Sequence, residues 1–159
     1  MDREYFKMEI CEPWAKLVLL GIKTLELQVN DPMIWGRVRV NDVININDCR
    51  SYLVNAVREY ADFESAVIGE GVRNLLPGKK TMNDAKAVYF GADIQLIDAR
   101  KREFQEDGAV VFELEAYYET TQQDCLHVDS DGRTLINYIE EGNIISRKCL
   151  WCHQDFSVK

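Results

Sequence analysis

Lys23, Thr24, Glu26 and Gln28 place an ammonium, a hydroxyl, a carboxylate and an amide within one short stretch of the chain. An ammonium beside a carboxylate and a hydroxyl can bind a polar ligand or move its protons. The plainer alternative is the solvated face of an ordinary strand, with Lys23 a surface charge, because charged side chains usually face water. The elements that would have to position these groups decide between the two.

Upstream runs Glu12-Pro13-Trp14-Ala15-Lys16-Leu17-Val18-Leu19-Leu20. Proline suits the first helical position, where its fixed φ fits and its missing N–H has no intrahelical partner. Trp14, Leu17 and Val18 recur at helical spacing and give that helix a buried face. Gly21 follows as the residue that stops the helix in the left-handed region. Leu25, Leu27 and Val29 then alternate with Thr24, Glu26 and Gln28, the pattern of a half-buried strand with leucines inward and polar groups on the other face. Lys23 falls at the mouth of that strand.

This run resembles the signature of the ASCH family, a PUA-like domain, which reads roughly G-x-K-T-x-E-x-R after a short helix beginning near P-W. Pro13-Trp14, Gly21, Lys23, Thr24 and Glu26 match, and Gln28 stands where the family usually has arginine. Tyr60 to Glu64 resembles the family's Y-x-x-F segment. Leu76-Pro77-Gly78 and Asp107 to Glu115 resemble its later loop and closing strand. The likeness covers about residues 5–117.

The resemblance implies a small five- or six-stranded PUA-like β-barrel with flanking helices over residues 1–118, and leaves 119–159 as a C-terminal extension. It also implies a cleft suited to RNA or a modified nucleoside, with Lys23 on phosphate or carbonyl, Glu26 accepting a base amine, Thr24 and Gln28 nearby, and Trp14 buried beneath. Some small members hydrolyse N4-acetylcytidine with a motif lysine, a threonine nucleophile and a downstream glutamate. Lys23 carries over as that lysine. The threonine position holds Glu26 here, and Glu64, Glu70 and Glu103 all stand as the glutamate. A carboxylate next to Lys23 could still activate water, so Lys23 and Glu26 are the catalytic pair if there is chemistry. Gln28 in place of arginine turns a charged fork into a neutral amide and weakens a phosphate clamp. With both the family's threonine and its arginine missing, binding is preferred, an N4-acylcytidine amidohydrolase is the alternative, and a scaffold with a vestigial cleft is the third reading.

At 159 residues, 47% hydrophobic and 10% aromatic, the chain suits one globular domain with its own core. Its formal charge of −8 would repel a polyanion and argues against non-specific nucleic-acid binding. Arg73, Lys79, Lys80 and Arg100-Lys101-Arg102 would offset this only by converging in space, and solvated surface is their ordinary fate. The longest apolar run, Leu17 to Leu20, is too short for a bilayer, and the first residues lack a signal peptide's pattern, which points to the cytoplasm and away from a membrane.

An α+β class follows from short strands at both ends of the domain with helices between. Lys7 to Cys11, Val38 to Val40, Val43 to Ile46, Tyr52 to Tyr60 and Ala109 to Tyr117 read as strands, with Asn41-Asp42 a tight turn. Asp62 and Thr81 read as helix caps, the second with Asp84 in a capping-box arrangement. Gly69 and Gly71 end the first of these helices, and Leu96-Ile97 either continues the second or starts another.

The five cysteines are an odd number without an export signal, so reduced thiols are expected rather than a disulfide framework. Cys125, His127, Cys149 and Cys152 supply four potential zinc ligands in the tail, although their spacing is wider than usual. The alternative is a hairpin or helix packed on the barrel with Trp151 and Phe156 buried; a haem attachment site or a redox dithiol has less context. No cofactor is assigned. RNA or a nucleoside is the expected ligand, and no protein partner is inferable.

Overall fold

The computed structural model describes residues 2–91, 93–117, 136–141 and 144–149, the last two stretches by backbone alone. Contacts divide the chain into two units, Met1–Ala116 and Tyr117–Lys159. The first is α+β, a curled half-barrel sheet of five strands with five helices. In the second, β6 (Ile136–Glu141) and β7 (Ile144–Cys149) form an antiparallel hairpin. Of the tail residues singled out above, Cys125, His127, Trp151, Cys152 and Phe156 lie outside the described residues, and Cys149 is described only as backbone.

The sheet runs in the order β1 (Tyr5–Met8), β3 (Val43–Ile46), β4 (Arg50–Tyr60), β5 (Ala109–Ala116), β2 (Leu25–Val29). Only β1–β3 is parallel. β5 lies inside the sheet, between β4 and β2, and is apolar on both sides, as its composition demands. Ala109 and Val111 pack under the helices with Phe63, Phe90 and Phe104, while Val110, Phe112 and Leu114 face Met8, Val38, Ile44 and Val54 inside the curl. The register of β4 against β5 shifts between Val54 and Ala56. Such a bulge sharpens local twist and bends a long strand, and it changes which residues face inward: Tyr52 and Val54 before it, Val57 after it.

The sheet ends on β1 and β2, which do not pair with each other. Hydrogen bonds therefore leave the half-barrel open along that seam. The first strand lies earlier than the expected Lys7 to Cys11, starting at Tyr5 and ending at Met8. Beyond Met8 the chain is held instead by Asn47, whose side chain accepts from Ile10 N at 2.7 Å and donates to Ile10 O at 2.9 Å. Val38 to Val40 is not a strand either. The Asp42 carboxylate accepts from Arg39 N at 2.7 Å and from Glu4 N at 3.0 Å, so Arg39 to Asp42 folds as a turn with Asn41 at φ 76°.

The helices follow their caps. The Asp62 side chain accepts from Ser65 N to start α2 (Phe63–Glu70), which continues past Gly69 and stops at Gly71. After α3 (Val72–Leu75), Thr81 and Asp84 form a full capping box at α4 (Met82–Phe90). Gly91 ends that helix, and Asp93 caps a separate α5 (Ile94–Asp107). Gly108, at φ 78°, carries the chain from α5 into β5 where an added Cβ would stand 2.6 Å from Tyr60 O. No helix among the described residues is long and apolar enough to cross a membrane.

β4 is tied to the end of α2 by a charged cluster. Arg58 grips Glu70 through Nε and, at 3.0 Å, through Nη2, while Tyr60 donates to the same carboxylate at 2.8 Å. The Arg58 bonds chiefly hold the Glu70 carboxyl below its ordinary value of 4.5, with burial opposing. A depressed folded pKa gives stability that is present above pH 4.5 and lost as pH falls through the folded value. Glu70→Gln should lower the urea midpoint at pH 7 and flatten its decline below pH 4.5. An unchanged acid limb would show that the cluster carries no linkage.

Candidate functional site

Lys23 reaches its place through the end of α1 (Trp14–Leu19). Pro13 is the N-cap, one position ahead of the expected one, and Trp14 and Val18 form the buried face. Gly21, at φ 74°, makes a Schellman stop: Gly21 N donates to Val18 O and Ile22 N to Leu17 O, each at 3.0 Å. Leu17 O also accepts from Lys23 N at 3.0 Å. The helix stop thus fixes the lysine backbone just ahead of β2.

From there the Lys23 side chain turns into the protein and is only 1% exposed. Its ammonium donates to Leu25 O and, at 2.7 Å, to Leu75 O at the end of α3. Glu26 Oε2 lies 3.0 Å away, on a residue 4% exposed. An ammonium has three donors and no acceptor, so two carbonyls and one carboxylate satisfy it. Lys23 is consequently a buried anchor, not a charge at an open strand mouth.

Glu26 lines a cavity of about 120 Å³ at the seam between the two sheet edges. Glu9, Ile10 and Cys11 wall it from the β1 side, Glu26 and Gln28 from β2. Trp14 lies in the same wall, and α4 adds Val88 and Tyr89. Exposed Arg100, paired with Glu103 at 3.3 Å, stands at its edge. At about 10–15 Å³ of such space per water, this is room for roughly ten waters or one heterocycle, not for a strand of nucleic acid.

Lys23, Glu26, Trp14 and Gln28 therefore share one cavity. Thr24 does not: it is exposed and lies outside the lining. The strand begins at Leu25, so period-two alternation does not carry Thr24 inward. Its backbone carbonyl accepts from Leu114 N at 2.8 Å. None of the three downstream glutamates lines the cavity. Glu70 is held by Arg58, Glu64 pairs with Lys86 at 3.3 Å, and Glu103 pairs with Arg100. Tyr89 and Glu9 are site residues that the sequence does not mark, and Arg100 is marked only as part of a possible basic groove. Tyr89 lay on a helical face that reads as core, and only the fold brings the other two to the seam.

Burial, and after it the Glu26 carboxylate, pushes the Tyr89 phenol well above its ordinary value, with the Leu27 backbone amide opposing. The hydroxyl stays protonated. Neither exposed Cys11 nor half-buried Cys49 is in a disulfide among the described residues. Among the described residues no three His, Cys, Asp or Glu side chains gather as a metal site.

Removing one member of a buried ion pair strands the other, at a cost of about 3–5 kcal/mol, whereas replacing both by apolar groups can be neutral. Lys23→Met alone should therefore destabilise the fold by roughly that amount in urea melts. Combining it with Glu26→Leu should recover most of the loss, a non-additivity that a double-mutant cycle measures. Additive losses would show that the two side chains are not coupled.

No family model and no curated protein matches the sequence. Among solved structures, the chain is similar to the crystal structure of hypothetical protein PH0355 at 23% identity and a TM-score of 0.61, over 71% of this chain and 99% of that one. It is also similar to the solution structure of protein PF0455 from Pyrococcus furiosus at 26% identity and a TM-score of 0.55, over 70% and 96%. What these neighbours share with the chain is the fold of its first unit.

Proposed function

We propose that the first unit is an ASCH-type, PUA-like domain whose seam cavity binds a single nucleobase, from a free nucleoside or from an exposed position in RNA. The observation that carries this reading is the buried Lys23–Glu26 pair opening onto a cavity walled by Trp14 and Tyr89. Two aromatic side chains and an anchored carboxylate make a site for a flat ring with an N–H to donate. The matches at Gly21, Lys23, Thr24 and Glu26 to the ASCH pattern support the same assignment, as does the curled five-strand sheet.

Binding is favoured over hydrolysis by the state of Lys23. An ammonium engaged by Leu25 O, Leu75 O and Glu26 has no free position from which to attack a carbonyl or relay protons. Its role in this reading is to hold the Glu26 side chain in place at the cavity. The exposed position of Thr24 removes the nearest hydroxyl from the chemistry as well.

Calorimetric titration of the purified protein with cytidine and with N4-acetylcytidine tests the proposal. Saturable binding is expected for at least one of them, with acetate release from N4-acetylcytidine no faster than in buffer. Glu26→Gln, checked for folding by circular dichroism, should weaken binding roughly ten- to hundredfold, the size of a hydrogen bond to a charged group. Absence of binding at millimolar nucleoside sinks the reading. Acetate release that depends on Glu26 would replace it with the hydrolase.

A further inference from the structure

On its β1 side the seam cavity is walled by irregular chain. β1 ends at Met8, opposite Ile46 of β3, and the next residues, Glu9, Ile10 and Cys11, line the cavity without strand pairing. Asn47, the residue after β3, holds this segment. Its backbone N donates to Met8 O at 2.9 Å, its side-chain oxygen accepts from Ile10 N at 2.7 Å, and its amide nitrogen donates to Ile10 O at 2.9 Å. Three hydrogen bonds from one residue thus carry the β1–β3 pairing two positions further. Beyond them, Cys11 O accepts from Ala15 N at 3.1 Å where α1 begins.

The local turn does not by itself demand an asparagine here. Asn47 and Asp48 stand at φ 55° and 52° between β3 and β4, closed by Cys49 N donating to Ile46 O at 2.9 Å. Two successive residues at positive φ mark a type I′ hairpin turn, which glycine and aspartate serve as well as asparagine. The clamp on Ile10 is more exacting. It needs a donor and an acceptor on one short side chain, and of these three residues only the amide carries both. Asp48 takes no part in that clamp; its carboxylate pairs with Lys7 at 3.0 Å, both side chains largely exposed.

We infer that Asn47 is a positioning residue of the seam site, holding the Glu9–Cys11 wall at the distance from β2 that a bound ring requires. It lies outside the lining and acts through that segment. Asn47 is exposed, so water can replace its side-chain bonds and their contribution to global stability is small. The Ile10 side chain packs against both core clusters and keeps the segment attached when the clamp is cut. The consequence of cutting it is a looser wall, not an unfolded protein. The inference rests on the nucleobase reading of the cavity, but the order of the wall is measurable without a ligand, so the two can fail separately.

The test compares Asn47→Gly, which suits the turn and removes the clamp, with Asp48→Gly, which relieves the same backbone strain and leaves the clamp intact. Amide nitrogen relaxation at Glu9, Ile10 and Cys11 reports the wall, and calorimetry with cytidine and N4-acetylcytidine reports the site. Asn47→Gly alone should show raised mobility at those three residues and roughly five- to tenfold weaker nucleoside binding. The urea midpoints of the two variants should be alike. Asn47→Asp, which keeps the acceptor for Ile10 N and loses the donor, should fall between Asn47→Gly and the wild type. Unchanged mobility in Asn47→Gly, or equal affinity in the two glycine variants, overturns the inference alone. Absence of nucleoside binding by the wild type sinks the nucleobase reading; a wall loosened in Asn47→Gly and not in Asp48→Gly then leaves the positioning role standing.

Discussion

The interaction on which this molecule turns is the ion pair of Lys23 and Glu26, taken almost wholly out of water. Desolvating two charges costs more than their attraction returns unless further hydrogen bonds complete the ammonium's shell. Leu25 O and Leu75 O do so. Those carbonyls come from β2 and α3, and the lysine backbone is set by α1 through Leu17 O. One lysine thus ties α1, β2 and α3 together, through its backbone N–H and its ammonium. The arrangement is costly as pure architecture, and it becomes intelligible once the carboxylate it orients has a cavity to face.

That cavity exists because the sheet does not close. β1 and β2 are edges, and unpaired edges must be covered or occupied. Part of the cover is irregular chain: Ile10 has its N–H and its carbonyl bound by the Asn47 side chain, an amide doing what a neighbouring strand would do elsewhere. The rest is helix, with Trp14 from one direction and Tyr89 from the other. A concave space lined by strand, loop and helix, with few polar groups pointing inward, has the make-up of a small-ligand site.

Much of this was legible locally. Helical spacing through Trp14 and Val18, a glycine stop and an alternating strand are short-range signals, and each formed where the chain announced it. So did the caps at Asp62 and Thr81 and the doubly buried β5. What escaped were features set by distant partners. Val38 to Val40 looks β-forming, yet the Asp42 carboxylate recruits its backbone into a turn. Thr24 shares the parity of Glu26 but falls before the first strand residue. Lys23 reads as a surface charge until Leu75, fifty-two positions away, offers it a carbonyl. Tyr89 sits among residues that look like ordinary core, and only the fold brings it to the cavity that Glu26 lines.

The irregularity in β4 makes strand length itself a counted quantity. Ahead of it the even-numbered Tyr52 and Val54 point into the curl; beyond it that orientation belongs to odd-numbered Val57, leaving Arg58 and Tyr60 to meet Glu70. Excising Asn55 would leave Ala56 to Tyr60 opposite Glu113 to Ala109 as they are now, with Arg58 and Tyr60 still turned toward Glu70, and would remove only the added twist and bend. Asn55 is thus a spare in the strand's count: what it supplies is curvature, and the facing of the residues beyond it does not depend on it.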